Sequence, residues 1–379
     1  MRGMSAFPRH AAALRALAAR GRGRALAPAR GLDFASNDYL GLAASPLLRE
    51  AAAAALARGV AIGAGGSRLL RGNDPEHEAL EAEAAAFFGA EAALFMGGGF
   101  QANQAIFATL PMRGDLILHD ALVHASAHEG MRLGRAETRA FAHNNVTDAA
   151  DLIAAWRRAG GTGRVWIAVE SVYSMEGDLA PLADLATLAR ADDAVLVVDE
   201  AHATGVFGPH GAGLAHGLTD VALVTLHTGG KGLGASGALI CAERVLIETL
   251  VNRARPFIFA TAPAPLMAAI LRAALRGLVE RPELQAAAQA RIAHAGAEAA
   301  RLCGLPPATS QILPVIEGED GRALARATAL QARGFDVRAI RPPTVPRGTA
   351  RLRLSLTGAV GPAEITALFE TLAQLRSQS

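Results

Sequence analysis

The sequence predicts an α/β fold. A large domain with a mostly parallel sheet flanked by helices precedes a smaller C-terminal α+β domain. Three observations carry this. Between residues 92 and 241, strand-like apolar runs alternate with helical patterns. Several of those runs are continuously apolar, as strands covered on both faces are. Beyond Arg253 the pattern changes to two helices and then a short strand–helix–strand unit. The expected divisions are an N-terminal helix and arm over 1–39, a large domain over 40–245 and a small domain over 246–379. A chain of 379 residues, 51% apolar, can bury cores of that size.

Taken in order, residues 1–32 hold seven arginines and no acid. That composition resembles a transit peptide, but the adjoining residues read as structure, so a short helix over 10–20 and an arm are expected. Asp33 to Gly41 reads as a strand entering a turn, with Asn37 and Asp38 as turn formers. Ser45-Pro46 is an N-cap followed by an N1 proline and starts a helix to about Arg58. Gly63 to Gly66 is a flexible loop, and Asp74-Pro75 opens the next helix, to Phe88. The strand Ala92–Met96 enters Gly97-Gly-Gly-Phe100, which opens another helix. Further strands are expected at 116–119, 138–141, 165–169, 194–198, 221–226 and 238–241, with helices at 147–158 and 182–190. The C-terminal part reads as helices over 263–278 and 282–302. It continues with strands at 311–316, 335–340 and 351–356, a helix over 323–333 and a last helix from Pro362.

Composition excludes several classes. The net charge is +2 and no basic stripe stands out, so no nucleic-acid partner is expected. No apolar run reaches the length of a membrane span. Cys241 and Cys303 form neither a disulfide framework nor a metal spacing, so a reducing, cytoplasmic compartment is expected. His124 and His128 stand at i, i+4, the spacing of one helix face. The residues between them are Ala, Ser and Ala, and no third zinc ligand accompanies them, so no metal is expected.

The chemistry gathers around Lys231. Of 37 basic residues it is the one lysine, the other 36 being arginine. An amine can lose its proton when desolvated and act as base, nucleophile or Schiff-base partner; a guanidinium cannot. Lys231 follows the apolar run Val221–Leu226 in a small-residue loop. Gly232 to Gly237 matches G-x-G-x-x-G, but a strand follows where a Rossmann motif needs a helix. A Walker A reading of Gly230-Lys231 fails at Thr225 and Gly232. Asp199-Glu-Ala-His202 spells a DEAH box, although without a Walker A loop. Asp199 and Lys231 instead stand 32 residues apart at the carboxyl ends of successive apolar strands, where open α/β sheets bind ligands. A carboxylate and an amine facing one crevice suit pyridoxal phosphate, with the glycine-rich helix entry at Gly97–Phe100 as a phosphate cradle.

These segments together resemble the α-oxoamine synthases, fold-type-I pyridoxal phosphate transferases. The resemblance rests on Asn37 to Gly41, Gly99-Phe100 with Ala102-Asn103, His124-Ala-Ser126, Ser171 to Asp178, Asp199 to His202 and Thr228 to Gly232, in family order. It implies pyridoxal 5′-phosphate as cofactor, with Lys231 forming the Schiff base and shuttling the substrate α-proton. Asp199 would pair with the ring nitrogen, His202 and Ser174 with the phenolic oxygen, and His124 would stack on the ring. Gly99, Phe100 and Thr228 would hold the phosphate. Arg341 and Thr344 would meet the amino-acid substrate, and Arg24 the acyl substrate.

Residues 340–354 are most similar to the biotin-pathway member of the family. This implies condensation of L-alanine with a pimeloyl thioester, on coenzyme A or an acyl carrier protein, with loss of carbon dioxide. Two alternatives are another α-oxoamine synthase using glycine or a different thioester and, more distantly, a DEAH-type nucleotide-driven helicase. The family also implies a homodimer. Ser67 to Gly72 departs from the family pattern and leaves the acyl donor open.

Overall fold

Apolar runs of five to seven residues, separated by glycine-rich turns and capped helices, become the central sheet. The computed structural model describes residues 6–377. In chain order, α1 (Pro8–Ala19) leads to β1 (Leu32–Asp33), α2 (Pro46–Ala57), α3 (Pro75–Phe88), β2 (Ala92–Met96) and α4 (Gly99–Thr109). Next come β3 (Leu116–Asp120), α5 (Ala125–Leu133), β4 (Glu137–Phe141), α6 (Val146–Arg158), β5 (Val165–Glu170) and α7 (Leu182–Ala191). Then follow β6 (Val195–Asp199), β7 (Ala222–Thr228), β8 (Ala238–Ala242), α8 (Arg244–Arg253), α9 (Arg255–Ile258) and α10 (Pro265–Glu280). The chain closes with α11 (Glu283–Cys303), β9 (Ile312–Gly318), α12 (Asp320–Gln331), β10 (Phe335–Asp336), β11 (Arg338–Ile340), β12 (Ala350–Ser355) and α13 (Pro362–Ser377).

Seven strands form the central sheet in the order β2-β8-β7-β6-β5-β3-β4. It is parallel from β7 through β4, and β8 runs antiparallel to both of its neighbours. Alternate side chains feed two cores, one on each face. Val195 and Val197 of β6 enter one, Leu196 and Val198 the other. Burial on both faces is why β2, β5, β6 and β8 are apolar apart from the terminal acids Glu170 and Asp199, whereas the edge strand β4 carries Glu137, Thr138 and Arg139. The two proline-led helices begin as expected. Ser45 Oγ accepts the Leu48 N–H, and the Asp74 carboxylate accepts the Glu76 N–H at 2.9 Å.

Contacts gather the chain into two compact units, 37–290 and 1–36 with 291–379. These limits differ from the expected divisions at 39/40 and 245/246. The helix α10 packs on α2 and α3, and Arg272 of α10 pairs with Glu76 and Glu83 of α3. That segment therefore belongs with the central sheet. The arm belongs with the C-terminal strands because β1 pairs in parallel with β10, and the Thr357 hydroxyl donates to Asp33 O at 2.7 Å.

The run 335–340, expected as one strand, is two. Its first half pairs with β1 and its second with β12, in separate sheets. Arg68–Gly72 forms a single wide π-helical turn, closed by the Gly72 N–H on Ser67 O and held by Arg68 donating to both Glu81 oxygens at 2.8 and 3.0 Å. Among the described residues no helix is long and apolar enough to cross a membrane, and no three His, Cys, Asp or Glu side chains cluster as a metal site.

Candidate active site

A cavity of about 360 Å³ opens at the carboxyl ends of the parallel strands. Each strand end delivers one functional side chain. β5 ends in Glu170, β6 in Asp199, and β7 in Thr228 followed by the turn that carries Lys231. Asn103 and Phe100 enter from α4, and His124 from the start of α5.

Lys231 Nζ lies 2.9 Å from His202 Nε2. On the other side of that ring, His202 Nδ1 lies 2.6 Å from the Tyr39 hydroxyl, which donates to Asn37 Oδ1 at 2.9 Å. One proton arrangement satisfies the chain: His202 Nδ1–H donates to Tyr39, leaving Nε2 to accept from Lys231. Asp199 is held on both oxygens. Asn103 Nδ2 donates to Oδ2 at 2.8 Å and the Ala201 N–H to Oδ1 at 3.0 Å. Asn103 also donates to Ser126 Oγ at 2.9 Å, and Ser126 Oγ lies 2.7 Å from His124 Nδ1. Burial holds His124 below its usual range; Asp199 opposes this and Lys231 adds to it. A neutral imidazole therefore forms that wall of the cavity.

The spacing of His124 and His128 does not place both on one helix face. His124 is the N-cap of α5, accepting the Ser126 N–H, while His128 lies inside the helix, edge-on to His119 at 4.9 Å. The extended backbone of His124, with ψ 147°, takes it out of the helical periodicity.

The donor set fits a phosphorylated, carbonyl-bearing aromatic cofactor. A primary amine and a carboxylate share the cavity, and α4 starts at its edge with free backbone N–H groups. Gly99 is required there. A Cβ at that position would stand 2.7 Å from Thr228 Cγ2, so a side chain would fill the cradle. Thr228 lies on the same wall, its hydroxyl donating to Ala201 O at 3.4 Å.

Of the expected residues, Gly99, Phe100, His124, Asp199, His202, Thr228 and Lys231 all line this cavity. Ser174 does not; its N–H donates to Glu170 Oε2 at 3.0 Å. Arg24, Arg341 and Thr344 belong to the other compact unit. There Arg24 donates to the Thr344 hydroxyl at 3.4 Å, and Arg341 Nε is buried with no partner among the described residues.

Three further residues meet at this site. Tyr39 and Asn103 sit inside quoted motifs without a stated role. Glu170 carries the signal that singled out Asp199, an acid closing an apolar strand.

Comparison with known proteins places these features in a family. The model of the aminotransferase class I and II family matches residues 29–372. An 8-amino-7-oxononanoate synthase of Anaeromyxobacter dehalogenans is 45% identical over 360 residues, covering 93% of this chain and 86% of the relative. A serine palmitoyltransferase from S. paucimobilis, solved with a bound PLP–myriocin aldimine, superposes with a TM-score of 0.86 at 27% identity, covering 98% of each chain. An 8-amino-7-oxononanoate synthase from Francisella tularensis superposes with a TM-score of 0.77 at 26% identity, covering 92% of this chain and 98% of that one. The chain belongs to the aminotransferase class I and II family and, within it, to the branch that holds the 8-amino-7-oxononanoate synthases.

Proposed function

We propose that this chain is a pyridoxal 5′-phosphate-dependent acyltransferase that joins L-alanine to a pimeloyl thioester, a step of biotin synthesis. The products are 8-amino-7-oxononanoate, carbon dioxide and the free thiol of coenzyme A or an acyl carrier protein. A carbon–carbon bond forms between the alanine α-carbon and the thioester carbonyl, the thiol leaves, and the alanine carboxylate departs as carbon dioxide. One observation carries this: the chain's single lysine opens on the cavity that also holds Asp199 and the start of α4. The choice of substrates is supported by the names of relatives about 45% identical.

When bound, the cofactor supplies an electron-withdrawing ring that takes up the electron pair left by an amino acid's α-proton. The chain's own residues do the rest. Lys231 holds the cofactor and, once released, removes and returns the α-proton; His202 Nε2, 2.9 Å away, accepts a hydrogen bond from its ammonium form. Tyr39 fixes the His202 tautomer that makes this possible. Asp199, held by a donor on each oxygen, would pair with the ring nitrogen. The neutral His124 ring covers one face of the cavity and excludes water. The N–H groups at Gly99 and Phe100, with the Thr228 hydroxyl, hold phosphate.

Ser174 with His202 toward the phenolic oxygen, Arg341 and Thr344 toward the amino-acid carboxylate, and Arg24 toward the acyl chain complete the proposed set. A cytoplasmic homodimer is part of the same proposal; two free cysteines suit a reducing compartment.

Offering alanine or glycine with a panel of acyl thioesters, and identifying products by mass spectrometry, tests the reading. Alanine with pimeloyl thioester should give the best turnover. A preference for glycine or serine with a long acyl chain would favour the second reading, another α-oxoamine synthase, which the superposition on serine palmitoyltransferase supports.

A further inference from the structure

Two acids stand side by side at the cavity. Glu170 closes β5 and Asp199 closes β6, and the parallel register pairs them directly. Neighbouring strands lie about 4.8 Å apart, so two charges at these positions interact strongly once water is excluded. Their surroundings differ. Asp199 has a donor on each oxygen. Glu170 is 3% exposed and accepts the Ser174 N–H on Oε2, while Oε1 is buried with no partner among the described residues. A buried carboxylate short of donors costs far more than the neutral acid, and a like charge beside it adds to that cost. We infer that Glu170 is a positioning residue that keeps its proton at neutral pH, so that Asp199 is the only charged member of this pair of acids.

The electrostatics agree with the geometry. Burial first, then the Asp199 charge, push the Glu170 carboxyl up to about 8; Lys231 and the Ser174 N–H pull it down, and Glu176 adds to the rise. Burial first, and then Asp120, push Tyr173 on the adjoining turn up as well. His124 and His202 complete the ionisable groups around the cavity. Its consequence for the cofactor rests on the proposed function: a neutral Glu170 lets Asp199 alone set the charge met by a ring nitrogen. The protonation state itself does not depend on that function.

Infrared difference spectroscopy on cofactor-free protein, wild type minus Glu170→Gln, reads this carboxyl directly. The subtraction cancels Glu200, a second buried acid pushed up to about 7. A protonated-carboxyl band is expected at neutral pH, bleaching with a midpoint near 8. Asp199→Asn should lower the midpoint and Lys231→Ala should raise it, because those charges act on Glu170 in opposite senses. Carbon NMR of labelled glutamate carboxyls supplies the same midpoints without altering Glu170, should Glu170→Gln fail to fold. An ionised Glu170 at neutral pH, or a midpoint indifferent to Asp199→Asn, overturns the inference. Protein that takes up no cofactor would defeat the proposed function and leave this measurement standing.

Discussion

Two groups of buried ionisable residues stand at the same carboxyl edge of the central sheet, and they are finished differently. At the end of β3, Asp120 accepts three hydrogen bonds, from His143 Nδ1 at 2.9 Å and from the N–H groups of Leu122 and Asn144. His143 reaches Asp178 with its other nitrogen at 2.8 Å and meets the Tyr173 ring edge-on at 4.5 Å. Burial alone would lower His143, but hydrogen bonds to the two carboxylates carry it up to about 10. Cation and anions answer each other there. At the active cavity burial instead holds His124 below its usual range, and Lys231 Nζ lies 2.9 Å from His202 Nε2. A balanced polar cluster spends its interactions on the fold.

Substitutions can break or sharpen that contrast. The largest effect is expected at Lys231. Lys231→Ala should abolish turnover and the visible absorbance of bound cofactor while leaving the melting temperature close to wild type. Lys231→Arg should fail nearly as badly, since its charge cannot be withdrawn. Full turnover in either variant would end the account.

At the balanced corner the losses should appear in stability. His143→Ala removes one of three donors to the fully buried Asp120 carboxylate and leaves two backbone N–H groups, so the loss should be about 1.5–3 kcal/mol, the worth of one hydrogen bond to a charged group. Chemical denaturation measures this; the cofactor spectrum of the folded fraction should be unchanged.

pH gives a third test. His143 has a folded pKa raised from 6.5 to about 10, so it binds a proton more tightly folded than unfolded. Its contribution to stability is therefore complete below 6.5 and lost as pH rises through 10. Thermal melts of wild type and His143→Gln should differ most just below pH 6.5 and converge in alkali. A constant difference across that range would contradict the assignment.

The smallest effect is expected at Tyr39. Tyr39→Phe removes the hydroxyl's bonds to Asn37 and His202; the one that bears on His202 is worth about 0.5–1.5 kcal/mol, or roughly two- to twelvefold in turnover. Nitrogen NMR of the imidazole should show His202 losing its single Nδ1–H tautomer. An unchanged tautomer would show that other groups orient the ring.

Much of this was legible beforehand. Strands such as Val195–Asp199 announce themselves because both faces are covered and every residue before the terminal Asp199 is apolar. Helix starts at Pro46 and Pro75 follow from capping chemistry that needs only adjacent residues. The run 335–340 was misread because nothing local says that its halves pair with different partners. His124 belonged to the site for the expected reason, but as a helix cap rather than a face residue.

By itself the sequence determined the identity of the one withdrawable cation, the sheet that carries it and the acid that shares its crevice. Those are properties of residue chemistry and short periodicities. Only the tertiary structure decided that Tyr39, 163 positions earlier in the chain, orients His202 toward Lys231. It also decided that Glu170 stands beside Asp199 and that the chain divides at 36 and 290. Partnerships of this kind depend on strand register and on how distant loops meet, which no window of neighbouring residues contains.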